Sequence, residues 1–101
     1  MEQPDATIHQ PVRLKIMAAL KALPDGQPLE FVKLKSVVGA TEGNLGAHIT
    51  TLESAGYVGV EKDFVAKRPR TRVTLTKEGR RAFDDYVAYL RDIIGTGSIA
   101  T

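Results

Sequence analysis

The chain of 101 residues contains no cysteine, which removes disulfides, zinc–thiolate centres and cysteine nucleophiles from consideration. No apolar run approaches the ~20 residues that a membrane-spanning helix needs. The segment from Met1 to Gln10 lacks the basic stretch followed by an apolar run that marks a secretory signal. The phosphate-cradling patterns GxGxxG and GxxxxGK(S/T) are missing too. The two histidines, His9 and His48, lie far apart with no carboxylate or cysteine at ligand spacing, so no metal site is read. Asp84 and Asp85 are adjacent on a helix and diverge by about 100°, a poor geometry for paired acid–base work. These absences lead to the expectation of a soluble cytoplasmic protein that is not an enzyme, holds no metal or other cofactor, and has no membrane partner.

What is present is one small domain. With 43% hydrophobic residues, the chain can close a single core, whereas chains below roughly 70–80 residues usually need a staple. The net charge of +2 conceals an uneven layout. Eight of the 14 basic residues and two of the 12 acidic ones fall between Lys62 and Arg81, so that window carries +6 and the other 81 residues carry −4. A basic segment on a mildly acidic body suits a polyanionic partner. A solvated charged face is the other reading of the same run.

Hydrophobic periodicity sets the order of elements. Residues 1–9 are polar and read as an N-terminal tail, 10–94 as the domain, and 95–101 as a small-residue C-terminal tail. Pro11 suits the first turn of a helix, and Val12, Ile16, Leu20 and Leu23 continue its apolar stripe until Pro24-Asp25-Gly26 stops it. Gln27 to Glu30 is at most a stub of strand. Phe31, Leu34, Val37 and Val38 mark a two-turn helix ended by Gly39. Thr41 is an N-cap for a third helix, 42–55, with a seam of Leu45, Ile49 and Leu52. Gly43 and Gly46 weaken that helix by roughly 1 kcal/mol each relative to alanine. Either tertiary packing or close approach to another surface would account for them.

The period then changes to two. Val58, Val60 and Phe64 share one face of a strand, and Val73 and Leu75 one face of a second, joined by a polar loop over 66–70. Thr76 caps a closing helix of about 18 residues. Its lines of Phe83, Val87, Leu90 and Ile94, and of Ala82, Tyr86, Tyr89 and Ile93, offer more apolar surface than one core requires. Phe83, Tyr86, Tyr89, Leu90, Ile93 and Ile94 are therefore candidate homodimer contacts. Packing within one chain is the alternative.

Helices 31–38 and 42–55, joined by Gly39-Ala40-Thr41, have the length and turn chemistry of a helix-turn-helix. In such a unit the second helix meets base edges in the major groove. Opposite its seam lie Gly43, Asn44, Ala47, His48 and Thr51: Asn44 can pair with adenine, His48 can bond an acceptor or a phosphate, and Thr51 suits a phosphate or a thymine methyl. An amphipathic helix with a wet polar face fits the same pattern. Lys67, Arg68 and Arg70 flank Pro69 at the hairpin tip, with Arg72 beyond, and suit phosphate or a narrow minor groove. With Thr41, these complete the candidate DNA-binding set.

The run Gly43-Asn44-Leu45-Gly46-Ala47-His48-Ile49, continued by Leu52-Glu53-Ser54-Ala55-Gly56-Tyr57-Val58, resembles the recognition helix and first wing strand of MarR/ArsR-like winged-helix regulators. Pro11–Leu14, the Phe-x-x-Leu of Phe31–Leu34 and the Arg-x-x-Thr-x-x-x-Leu-Thr-x-x-Gly-Arg of Arg68–Arg80 extend the likeness over about 8–94. The resemblance implies a mainly α fold with a small β-hairpin (α+β): a winged helix-turn-helix with a three-helix core, a wing and a C-terminal dimerisation helix. It implies a homodimeric transcriptional regulator of double-stranded DNA, with helix 42–55 in the major groove and the wing over 66–71 on the minor groove or backbone. Gly46 departs from the serine of many relatives, and the thiolates of the metal-sensing branch are absent. No motif for a small-molecule effector is recognisable. The rival function is a winged helix used as a protein-interaction module, its basic wing meeting an acidic protein surface.

Overall fold

The computed structural model describes residues 5–100, with side chains over 5–95. The elements run α1 (Ala6–His9), α2 (Pro11–Lys21), β1 (Leu29–Glu30), α3 (Phe31–Val38), α4 (Glu42–Ser54), β2 (Val58–Val65), β3 (Arg68–Leu75) and α5 (Lys77–Ala100). Polar side chains start every helix except α3 by accepting from otherwise unpaired N–H groups. Asp5 accepts from Thr7 N–H at 2.9 Å, Gln10 from Arg13 N–H at 2.9 Å, Thr41 from Asn44 N–H at 3.2 Å and Thr76 from Gly79 N–H at 2.9 Å. Gly39 closes α3 at φ +69°, a left-handed conformation that glycine adopts without a Cβ clash.

The sheet is antiparallel, in the order β1-β3-β2. Leu29 pairs with Val73 and Glu30 with Arg72, while β2 and β3 pair from Val58↔Leu75 at the base to Val65↔Arg68 at the tip. The loop expected over 66–70 is shorter in the structure. Ala66 and Lys67 alone make the turn, at φ 51° and 66°, the two positive values that a tight I′ hairpin turn requires. Neither residue is glycine, so each is held at a cost of about 1–2 kcal/mol by the pairing on either side. Pro69 stands in β3 opposite Phe64. It is tolerated because β1 reaches β3 only at Arg72 and Val73, leaving the Pro69 edge open.

The core gathers Ile16, Met17 and Leu20 of α2, Leu34 and Val38 of α3, Leu45, Ile49 and Leu52 of α4, and Val58, Val73 and Leu75 of the sheet. At its edge, Gly79 packs so closely on the Tyr57 carbonyl that a Cβ there would overlap it. Two boundaries need correction. The N-terminal tail expected over 1–9 is structured from Asp5, because Ile8 enters the core at 0% exposure and Tyr57 Oη donates to Asp5 Oδ2 at 2.5 Å. That bond, followed by burial and carboxylate charge, pushes the Tyr57 hydroxyl up to about 12. The C-terminal tail expected from 95 is helical through Ala100, which makes α5 24 residues long; Thr101 and residues 1–4 lie outside the described residues. Ile8→Ala is expected to lower the unfolding free energy by about 2–5 kcal/mol. Urea denaturation checks this, since the same change in a solvated tail moves stability by less than about 0.5 kcal/mol.

Candidate nucleic-acid interface

Burial of Leu45, Ile49 and Leu52 decides which way α4 faces, and it leaves Gly43, Asn44, Ala47 and Thr51 exposed. Thr51 donates to Ala47 O at 3.2 Å and Thr41 is engaged as the cap, so both hydroxyls are held against the helix. The Asn44 side-chain amide has no hydrogen bond among the described residues. A Cβ placed on Gly43 or Gly46 meets nothing within 4 Å. Packing among the described residues therefore gives no reason for either glycine. What they provide is a low surface on which another molecule can approach the backbone.

His48 lies at one border of this strip and is only half exposed. Its Nδ1 contacts Arg13 Nη1 at 3.1 Å, and Arg13 Nε donates to Thr7 O at 2.5 Å. Burial, and then the Arg13 charge, hold the imidazole below the usual histidine range, so it is neutral at pH 7. Arg13 is a residue that sequence reasoning missed. It lies outside the basic window, 35 positions before His48 in the chain, and no local pattern announces the contact.

The wing divides the expected cations into two groups. Strand alternation puts Arg68, Arg70 and Arg72 on one face, opposite Val65, Asp63 and Glu61 respectively. Arg70 is bidentate on Asp63, at 2.9 and 2.7 Å, and lies 3.9 Å from Glu30. Arg72 Nη2 reaches Glu61 at 3.3 Å and Asp63 at 3.5 Å. The Arg70 bond, foremost, holds the Asp63 carboxyl below its ordinary range. Such exposed pairs add little stability, but they cancel charge. Lys62, Lys67 and Arg68 are exposed and form no ion pair among the described residues. Arg68 escapes because its cross-strand neighbour is Val65. Phe64, which shares a strand face with Val58 and Val60, is 74% exposed: the alternation holds, but the hairpin overhangs the core beyond Val60. Between α4 and the wing runs a cleft of about 660 Å³, with Gly46 and Thr50 on one side and Val60 and Lys62 on the other.

The six candidate dimer residues also separate. Tyr86 is 4% exposed and its hydroxyl meets His9 Nδ1 at 2.7 Å, so it is spent on the chain's own core. Phe83 and Leu90 pack partly against that core, and Tyr89 lies half exposed beside Tyr86, ring centroids 6.3 Å apart. Ile93 and Ile94 are 49% and 66% exposed. No cluster of three potential metal ligands occurs among the described residues, and none of their helices is long and apolar enough to cross a membrane.

With this geometry in view, the sequence profile of the winged helix DNA-binding domain matches residues 12–94. An uncharacterized protein of Methanocaldococcus jannaschii is 38% identical over 76 residues, which span 75% of this chain and 79% of that one. The solved structure of a transcriptional regulator homologue from Pyrococcus horikoshii OT3 aligns with a TM-score of 0.80 and 33% identity, over 89% of this chain and 86% of that one. A MarR-family transcriptional regulator from Silicibacter pomeroyi aligns at 0.68 and 26% identity, over 86% of this chain and 56% of the other.

The His48 environment makes stability depend on pH. Its folded pKa lies below the unfolded value of about 6.5. The unfolded chain therefore takes up the proton first, and stability falls as pH drops from 6.5 through the folded value. Melting temperatures measured across pH 7.5 to 5 are expected to decline, and His48→Gln is expected to flatten that decline.

Proposed function

The chain belongs to the winged helix DNA-binding domain family, and from that premise we propose that it is a cytoplasmic, sequence-specific transcriptional regulator that binds double-stranded DNA as a homodimer. The observation that carries this reading is the exposed strip of α4, where a Cβ on Gly43 or Gly46 would meet nothing within 4 Å among the described residues. In this reading α4 (Glu42–Ser54), the helix expected over 42–55, enters the major groove. Asn44 reads a base edge, Thr51 and Ala47 meet a thymine methyl or a phosphate, and Thr41 and Gly43 let a phosphate approach the first turn. The wing over 66–71 lies on the minor groove or backbone, where Lys67 and Arg68 supply affinity. Arg70 and Arg72, paired with Asp63 and Glu61, stiffen the hairpin and join the DNA only by exchanging partners.

The homodimer rests on Ile93 and Ile94, exposed on α5 beyond its packed half, with Tyr89 beside them. A dimeric helix-turn-helix protein sets its half-sites about one helical turn apart. A second reading, a protein-interaction wing without DNA specificity, draws on the exposed apolar tip of Phe64 and Val65, at 74% and 47%.

Titrating labelled duplex DNA at several salt concentrations tests the function. Lys67→Ala and Arg68→Ala are each expected to reduce the salt slope by about one unit, as one phosphate contact is lost. Asp63→Asn, which frees Arg70, is expected to raise affinity and steepen the slope. Wild-type affinity that is negligible and indifferent to salt sinks the reading in favour of a protein partner. Light scattering tests the assembly: the wild type is expected to be a dimer at tens of micromolar and Ile93→Asp/Ile94→Asp a monomer, while a wild-type monomer rules the homodimer out.

A further inference from the structure

The Arg13–His48 contact has a chemical direction. A guanidinium has five N–H donors and no acceptor, so the 3.1 Å contact requires Nδ1 of the imidazole to be bare. The ring is neutral at pH 7 because burial and the Arg13 charge oppose a second proton. A neutral imidazole with bare Nδ1 carries its one proton on Nε2. That nitrogen has no partner among the described residues and is not enclosed as an unpaired buried atom. Its N–H is therefore available at the border of the α4 strip. Arg13 in turn cannot swing freely, because Nε is bound to Thr7 O of α1 and that segment is pinned by buried Ile8.

We propose that Arg13 is a specificity-determining residue: it fixes His48 as a one-way hydrogen-bond donor on α4, so the base facing His48 must present an acceptor. This deepens the DNA-binding reading above and rests on it. In the major groove, purine N7, guanine O6 and thymine O4 accept, whereas cytosine presents its N4 amino donor. Cytosine is thus disfavoured opposite His48. Without Arg13 the ring exchanges between tautomers, presents a donor or an acceptor as needed, and loses that discrimination.

Two measurements test the proposal. In the free protein, long-range proton–nitrogen NMR of the imidazoles is expected to show His48 as the single Nε2–H tautomer. Arg13→Met is expected to give a mixture, and Arg13→Lys, which restores a donor, to recover part of the preference. A wild-type His48 with its proton on Nδ1 overturns the proposal without touching the DNA-binding reading. In the second measurement, bound duplexes are selected from a random pool. One position is expected to discriminate against cytosine by about three- to tenfold, the worth of one neutral hydrogen bond, and Arg13→Met is expected to flatten that position alone. In a His48→Gln background, whose amide carries both a donor and an acceptor, Arg13→Met is expected to change base preference no further. A uniform loss of affinity with the preference retained makes Arg13 an ordinary phosphate contact and overturns the proposal. Wild-type protein that selects no duplex overturns the parent reading and with it the assignment of a base to His48.

Discussion

Thr76 joins three elements at one point. Its N–H bonds the Tyr57 carbonyl at 3.1 Å, its hydroxyl donates to Gly56 O at 2.7 Å, and the same oxygen accepts Gly79 N–H at 2.9 Å. The end of α4, the base of the wing and the start of α5 are thereby held in one register, with Gly79 close enough to Tyr57 to exclude a side chain. Because strand side chains alternate, a slip of one residue here would turn every wing residue to the opposite face. Arg68, Arg70 and Arg72 would then leave Val65, Asp63 and Glu61, and the charge layout of the wing would be lost.

That layout matters more than the count of cations. Of the arginines on the hairpin, two face carboxylates across the strands and one faces valine. The paired ones add little positive field beyond the hairpin, while Lys67 and Arg68 stand at its end with no ion pair among the described residues. Concentrating free charge at the tip suits the proposed role, since it holds a polyanion without making the whole face adhesive. The α4 strip complements it with little charge and small side chains, so the contact proposed there depends on shape and hydrogen-bond direction.

Much of the fold was legible in the sequence, and the reason is local. The seam of Leu45, Ile49 and Leu52 declared both the helix and its outward face, and Gly39 and Thr41 marked the turn before it, because helical spacing and capping act within a few residues. The strand alternation from Val58 to Leu75 was likewise visible. Three features were not. α1 has a single core residue, Ile8, and four residues are too few for periodicity to show. The Ala66-Lys67 turn uses residues that disfavour positive φ, so the polar run over 66–70 read as a longer loop. Phe64 has the right phase for burial, but nothing in the run states where the core ends beneath the hairpin.

The sequence by itself determined the kind of domain: one cysteine-free core, a helix-turn-helix followed by a hairpin, and a basic window at the hairpin and the helix start after it. Each of these is written in composition or short-range spacing. Tertiary structure alone decided which of those groups are free to act. It placed Asp63 and Glu61 against Arg70 and Arg72, took Tyr86 into the core beside His9, and brought Arg13 across 35 positions to His48. Charge, exposure and tautomer are set by neighbours in space. For these residues the neighbours belong to other elements, and chain order does not record which ones meet.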